Sequence, residues 1–155
     1  MSRNQQSETE QFSTFYVSER LYGLDVTRVQ EIVRDMPTTG IPLAPPYVRG
    51  LINLRGQVAT AIGIRELFSL ESTESEEVLN VVCKLDGFLI SFQVDRIGDV
   101  MEAEAKYFEP TPTTIPEATR KFLSGVYKTD NQILSIIDID KVMFFLNQQN
   151  AEQAA

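Results

Sequence analysis

A chain of 155 residues lies in the size range of one domain and is long enough to bury a core without disulfides or a structural metal. Its 43% apolar and 23% charged content is that of an ordinary globular protein, and the net charge of −8, from 14 basic and 22 acidic residues, argues against nucleic-acid binding and against docking on anionic membranes. Histidine is absent, so Ser-His-Asp and Cys-His catalytic sets and His-bearing metal sites cannot be built.

Residues 1–11 are polar and read as a disordered tail with no apolar signal-type run, and no later stretch approaches the ~20 apolar residues of a membrane span. A cytoplasmic protein with no direct membrane insertion is the expectation. Residues 12–17 and 21–26 alternate like strands around Ser18, Glu19 and Arg20. Thr27 with Gln30 makes a capping-box pattern for a helical turn through Val29, after which Ile32 and Val33 return to strand. Pro37, Pro42, Pro45 and Pro46 rule out helix across residues 35–46 and leave an extended loop.

Two apolar runs then flank Arg55-Gly56: Leu51, Ile52 and Leu54 before it, Val58, Ala59, Ala61, Ile62 and Ile64 after it. Glycine takes positive φ without steric cost, so this is a β-hairpin with one cation at its turn. A short helix over 65–70 and an acidic solvated loop over 71–77 follow. Strands over 78–85 and 88–95 enclose Asp86-Gly87, a type I′ turn signal, and Cys83 within the first reads as a small buried hydrophobe. Residues 97–105 read as one strand, Pro110, Pro112 and Pro116 mark a second long loop, and strands at 122–128 and 132–138 flank Asp130-Asn131. Asp138 is a fair N-cap for a helix through Lys141 to Asn147, whose Met143, Phe144, Phe145 and Leu146 either dock in a groove of the domain or meet a partner, and residues 148–155 read as a flexible tail.

Short strands at regular spacing with Gly, Pro and Asn turns indicate an all-β fold with small helices. Four blocks sharpen that reading: FSTFYVSERLYGLDVTRVQEIV at 12–33, NLRG at 53–56, SFQVDRIGDV at 91–100 and FLSGVYKTDNQILSIIDIDKVM at 122–143. In this order and spacing the chain resembles the CheW-like domain family over residues 12 to about 145. The resemblance implies two packed five-stranded SH3-like β-barrel subdomains within residues 12–147, with a boundary that periodicity leaves open and elements that can interlace.

It also implies a non-enzymatic chemotaxis adaptor that couples methyl-accepting chemoreceptors, at their cytoplasmic tip, to the regulatory domain of a CheA-type histidine kinase. Other CheW-like domains in array rings are further partners, and no cofactor or metal is expected. Carried over by motif, the partner-binding positions are Val29, Glu31 and Ile32 of VQEI, Gly50, Arg55, Gly56 and Val58 around NLRG, and Val94, Asp95, Asp99 and Val100. Val29, Ile32 and Val58 are equally suited to core packing, and Gly50 and Gly56 to backbone geometry alone. Arg55 is expected to pair with Glu31.

The sequence departs from the family pattern at Thr60, where many members carry proline, and at Gly63, where many carry aspartate. Loss of that carboxylate removes a possible partner for Arg65, and a glycine there loosens the strand end. Two alternatives stay open: an adaptor of a non-flagellar chemosensory-type pathway, and a small hydrolase using carboxylates such as Asp95 with Asp99 or Asp138 with Asp140.

Overall fold

The computed structural model describes residues 8–34, 36–71 and 78–154. Its strands, in chain order, are β1 (Thr9–Val17), β2 (Arg20–Asp25), β3 (Val29–Arg34), β4 (Val48–Leu54), β5 (Gln57–Gly63), β6 (Leu79–Leu85), β7 (Phe88–Val94), β8 (Arg96–Ile97), β9 (Met101–Glu104), β10 (Leu123–Lys128) and β11 (Ile133–Ile137). The helices are α1 (Ile64–Leu67), α2 (Glu117–Arg120) and α3 (Ile139–Ala154), with single 3₁₀ turns at Val26–Arg28 and Ala105–Tyr107.

Two mixed sheets result. The middle of the chain forms one, in the order β3-β6-β7-β5-β4, while the two flanks form the other, β10-β11-β2-β1-β8, with β9 also on β1. The two orders correspond strand for strand. Each contains one parallel pair, β5 with β7 and β11 with β2, and every other pairing is antiparallel. In chain order, however, β3-β4-β5-β6-β7 corresponds to β9-β10-β11-β1-β2, so the two sheets are related by a circular permutation, with the middle sheet inserted between β2 and β8.

Both sheets are closed by loop segments. Thr39, past the end of β3, exchanges backbone hydrogen bonds of 2.9 and 2.8 Å with Leu51 of β4. Glu109, past β9, does the same with Val126 of β10 at 2.9 Å in both directions. A glycine precedes each closing residue, and the ladder is irregular at both: Gly50, at φ +142°, and Gly125. A Cβ on Gly50 would stand 2.6 Å from Thr38 Cγ2, and one on Gly125 would stand 2.6 Å from the Glu109 carbonyl oxygen. Such approaches are far inside van der Waals contact, so only glycine lets the closing segment reach its strand.

Alternation along the strands sends side chains to three apolar clusters. Phe12, Leu21, Tyr127, Leu134 and Ile136 fill the flank barrel, and Ile52, Leu54, Ala59, Ala61, Val82 and Leu89 fill the middle one. The opposite faces of both sheets meet in the largest cluster, which includes Phe15, Tyr22, Leu24, Ile62, Phe92 and Leu123. A chain of aromatic contacts crosses it from Tyr22 to Phe68, Phe122, Phe145 and Tyr47, with centroid separations of 5.2 to 5.6 Å. Burial on two faces explains why the strands read as nearly continuous apolar runs. No helix among the described residues is long and apolar enough to cross a membrane.

Several local expectations are corrected. Thr9 to Gln11, assigned to the disordered tail, belong to β1 and pair with β9; residues 1–7 lie outside the described part, as do 72–77 of the acidic loop. The capping box at Thr27 does not form: Asp25 is the cap, its carboxylate accepting the Thr27 N–H at 2.9 Å, and Val29 is already strand. Asp86-Gly87 is not the expected I′ turn, since only the glycine is at positive φ, the φ signs of a type II turn, whereas Ser18-Glu19 has positive φ at both residues. The strand expected over 97–105 is broken into β8 and β9. Asp138 caps α3 by accepting the Lys141 N–H at 3.2 Å, but the helix runs on to Ala154 through residues expected to form a tail.

Candidate protein-binding surface

The Arg55-Gly56 turn is a two-residue loop, with Leu54 paired to Gln57. Both turn residues have positive φ, +50° and +88°, the requirement of a type I′ turn that matches the twist of the flanking strands. Gly56 meets it freely. Arg55 carries a Cβ and does not, and the Gly56 N–H donates to Asn53 Oδ1 at 2.9 Å to hold the loop. A non-glycine residue held in this region is a place to look for function.

Arg55 donates to Glu31 Oε2. The arginine is 73% exposed and the glutamate 21%, so the carboxylate is nearly covered and the guanidinium covers it. An exposed pair contributes about 0 to 1 kcal/mol, so its consequence is orientation: it ties the hairpin tip to β3. Ile32, beside Glu31, and Val58, on the far side of the turn, are both exposed apolar residues. Four of the expected positions, Glu31, Ile32, Arg55 and Val58, therefore sit on the outside of the middle barrel with Gly56 at the tip.

The remaining positions are placed otherwise. Val29 is half-buried against the shared core, Gly50 is buried at the closing bridge, and Val94 is buried at the end of β7. Asp99 and Val100 lie on the loop between β8 and β9, with Val100 exposed and the Asp99 carbonyl accepting from Thr14 Oγ1 of the flank barrel. Asp95 is half-buried where the two barrels meet. Its carboxylate accepts from Arg65 Nε at 3.1 Å, from Arg65 Nη2 and from the Ser18 backbone N–H at 2.8 Å.

Arg65 is thus partnered without the aspartate that Gly63 replaces. Nor is the strand end loose at Gly63, whose N–H donates to the Tyr47 carbonyl at 2.8 Å. Of the other carboxylates considered for hydrolysis, Asp138 is the α3 cap and Asp140 bridges to Arg28 at 3.4 Å. Burial pushes the Cys83 thiol up to about 12, the protonated state of a core residue. Among the described residues no three His, Cys, Asp or Glu side chains gather where a metal could be held.

Sequence reasoning missed an apolar groove of about 580 Å³ between the proline-spaced loop, β5, β7 and α3. Ile41, Leu43, Thr60, Phe88 and Met143 are among its walls, and Leu43 is fully exposed at φ +63°. The sequence signal was two aliphatic residues, Ile41 and Leu43, spaced among prolines on an extended loop. Of the apolar run on α3, Met143, Phe145 and Leu146 dock on the core and Phe144 points out.

Comparison with known proteins agrees with this architecture. The CheW-like domain matches residues 11–144. The chemotaxis protein CheW of Treponema pallidum is 30% identical over 137 residues, 85% of this chain and 81% of that one. The Bacillus subtilis chemotaxis protein CheW is 28% identical over 143 residues, 92% of each. The crystal structure of the scaffolding protein TtCheW from Thermoanaerobacter tengcongensis superposes with a TM-score of 0.76 at 28% identity, covering 83% of this chain and 88% of that one. With the same paired barrels and a family match that spans both of them, the chain belongs to the CheW-like domain family of chemotaxis scaffold proteins.

Proposed function

We propose that this chain is a non-enzymatic adaptor that binds the cytoplasmic tip of methyl-accepting chemoreceptors and the regulatory domain of a CheA-type histidine kinase, and so associates with receptor arrays at the membrane through its partners. The observation that carries this reading is the Glu31–Arg55 pair on a strained turn, flanked by exposed Ile32 and Val58, within a fold whose family match covers residues 11–144. A second contact region, Asp99 and exposed Val100, belongs to the loop against the flank barrel. Two separated regions suit a molecule that holds two partners at once and transmits bias between them by position alone.

In this reading Ile32, Arg55, Val58 and Val100 touch partners. Val29, Gly50, Gly56 and Val94 keep the surface in shape, and Glu31 aims Arg55. Arg55→Ala and Glu31→Ala are expected to weaken binding of one partner by about ten-fold each, a rim-to-hot-spot effect of about 1.4 kcal/mol, with the fold retained. Titration of each variant against receptor-tip fragment and kinase regulatory domain, by calorimetry, checks this; unchanged affinity for both partners in both variants contradicts it.

A further inference from the structure

The chain passes from the middle barrel back to the flank barrel at one residue, Asp95, between Val94 of β7 and Arg96 of β8. Its backbone N–H donates to the Tyr16 carbonyl of β1 at 3.0 Å, while its carboxylate takes Arg65 of α1 from one barrel and the Ser18 N–H of the β1–β2 turn from the other. Arg65 Nη1 donates onward to the Glu71 carbonyl at 2.9 Å, which Ser18 Oγ also approaches at 3.4 Å. Side-chain exposures of 12% for Arg65 and 24% for Asp95 leave little room for a partner protein.

The geometry points to Asp95 and Arg65 as an inter-barrel clamp: positioning residues that fix the angle between the two partner-binding barrels without touching either partner. The shared apolar core holds the barrels together, but hydrophobic contact is non-directional and tolerates rotation. A two-nitrogen guanidinium–carboxylate contact with a third bond from a backbone N–H is directional and fixes one orientation. Such a clamp is needed only where the relative position of two faces matters, so this inference rests on the adaptor reading above.

Asp95→Asn keeps an oxygen for the Ser18 N–H and removes the ionic contact, and Arg65→Gln removes it from the other side. In membranes reconstituted with chemoreceptor and CheA-type kinase, each variant is expected to bind either partner within about three-fold of wild type. Receptor control of kinase activity should fall about ten-fold, within the usual span of coupling effects, and the double variant should lose no more than either single one. Spin labels at Lys84→Cys and Lys128→Cys, one on each barrel, should give a broadened or shifted distance distribution in both variants.

Distances unchanged by Asp95→Asn and Arg65→Gln overturn the clamp whatever the partners do. Loss of partner binding in step with coupling overturns it too, since that marks a contact residue. Failure of the wild-type chain to bind either partner, with distances altered by the variants, instead refutes the adaptor reading and leaves the clamp as a property of the fold.

Discussion

Arg55 is held at positive φ in a turn where asparagine would sit with less strain, and its side chain does nothing for the core. In the adaptor reading, the conformational cost of about 1 kcal/mol at this position is offset by partner contact and not by stability. Arg55→Asn is therefore expected to leave the urea unfolding midpoint equal to wild type or higher, since strain relief offsets the exposed ion pair, while partner affinity falls. A clear drop in midpoint would show that the pair is structural. Cys83 makes the opposite case, a side chain explained wholly by the core. Its pKa moves from an ordinary 9.0 to about 12, so above pH 9 the unfolded chain releases a proton that the folded chain keeps. The contribution is fully present below 9 and is lost as pH rises towards 12. Cys83→Val should flatten the fall in stability between about pH 9 and 10 by up to about 1.4 kcal/mol per pH unit. An identical slope in the variant would place the thiol in solvent. Tyr22 and Tyr127, raised chiefly by burial, add the same sign at higher pH in both proteins.

Hairpins were the most legible elements, because each carries its own turn chemistry: Arg55-Gly56 and the pair β10–β11 lie where alternation and turn residues put them. Closure of the barrels was not legible. Thr39 and Glu109 pair across loops containing prolines, with no periodic neighbour to mark them as strand-like, and their partners are 12 and 17 residues away, as 51 minus 39 and 126 minus 109 show. The break between β8 and β9 was hidden for a related reason, since the contacts made there are tertiary: the Gly98 N–H donates to the Thr14 carbonyl of β1 at 2.9 Å, and the Thr14 hydroxyl donates to the Asp99 carbonyl. Closure gives the glycines distinct roles that can be measured. Gly50→Ala and Gly125→Ala should each cost about 2 to 4 kcal/mol in chemical denaturation, because the closing segment must retreat. Gly56→Ala has open space around its Cβ and only a positive φ to resist, so it should cost about 1 kcal/mol. Equal costs at all three positions would contradict closure by close approach.

Two barrels built on one plan are joined through a shared core and crossed by a chain of aromatic contacts. The family resemblance made the two barrels legible in advance, and the Glu31–Arg55 pair was expected from the one cation at the turn and the acidic residue of VQEI. The circular permutation and the parallel pairs β2–β11 and β5–β7 escaped, because nothing in a strand's own residues names a neighbour far along the chain. The partners of Asp95 escaped for the same reason: Arg65 and Ser18 are 30 and 77 residues away, and only the folded chain brings them together. The central claim is that both surfaces are occupied at once. Sedimentation of the chain with a receptor-tip fragment and a kinase regulatory domain, alone and together, tests it most directly. The account predicts a ternary complex in which neither partner displaces the other; mutual displacement, or binding to only one of them, would contradict it.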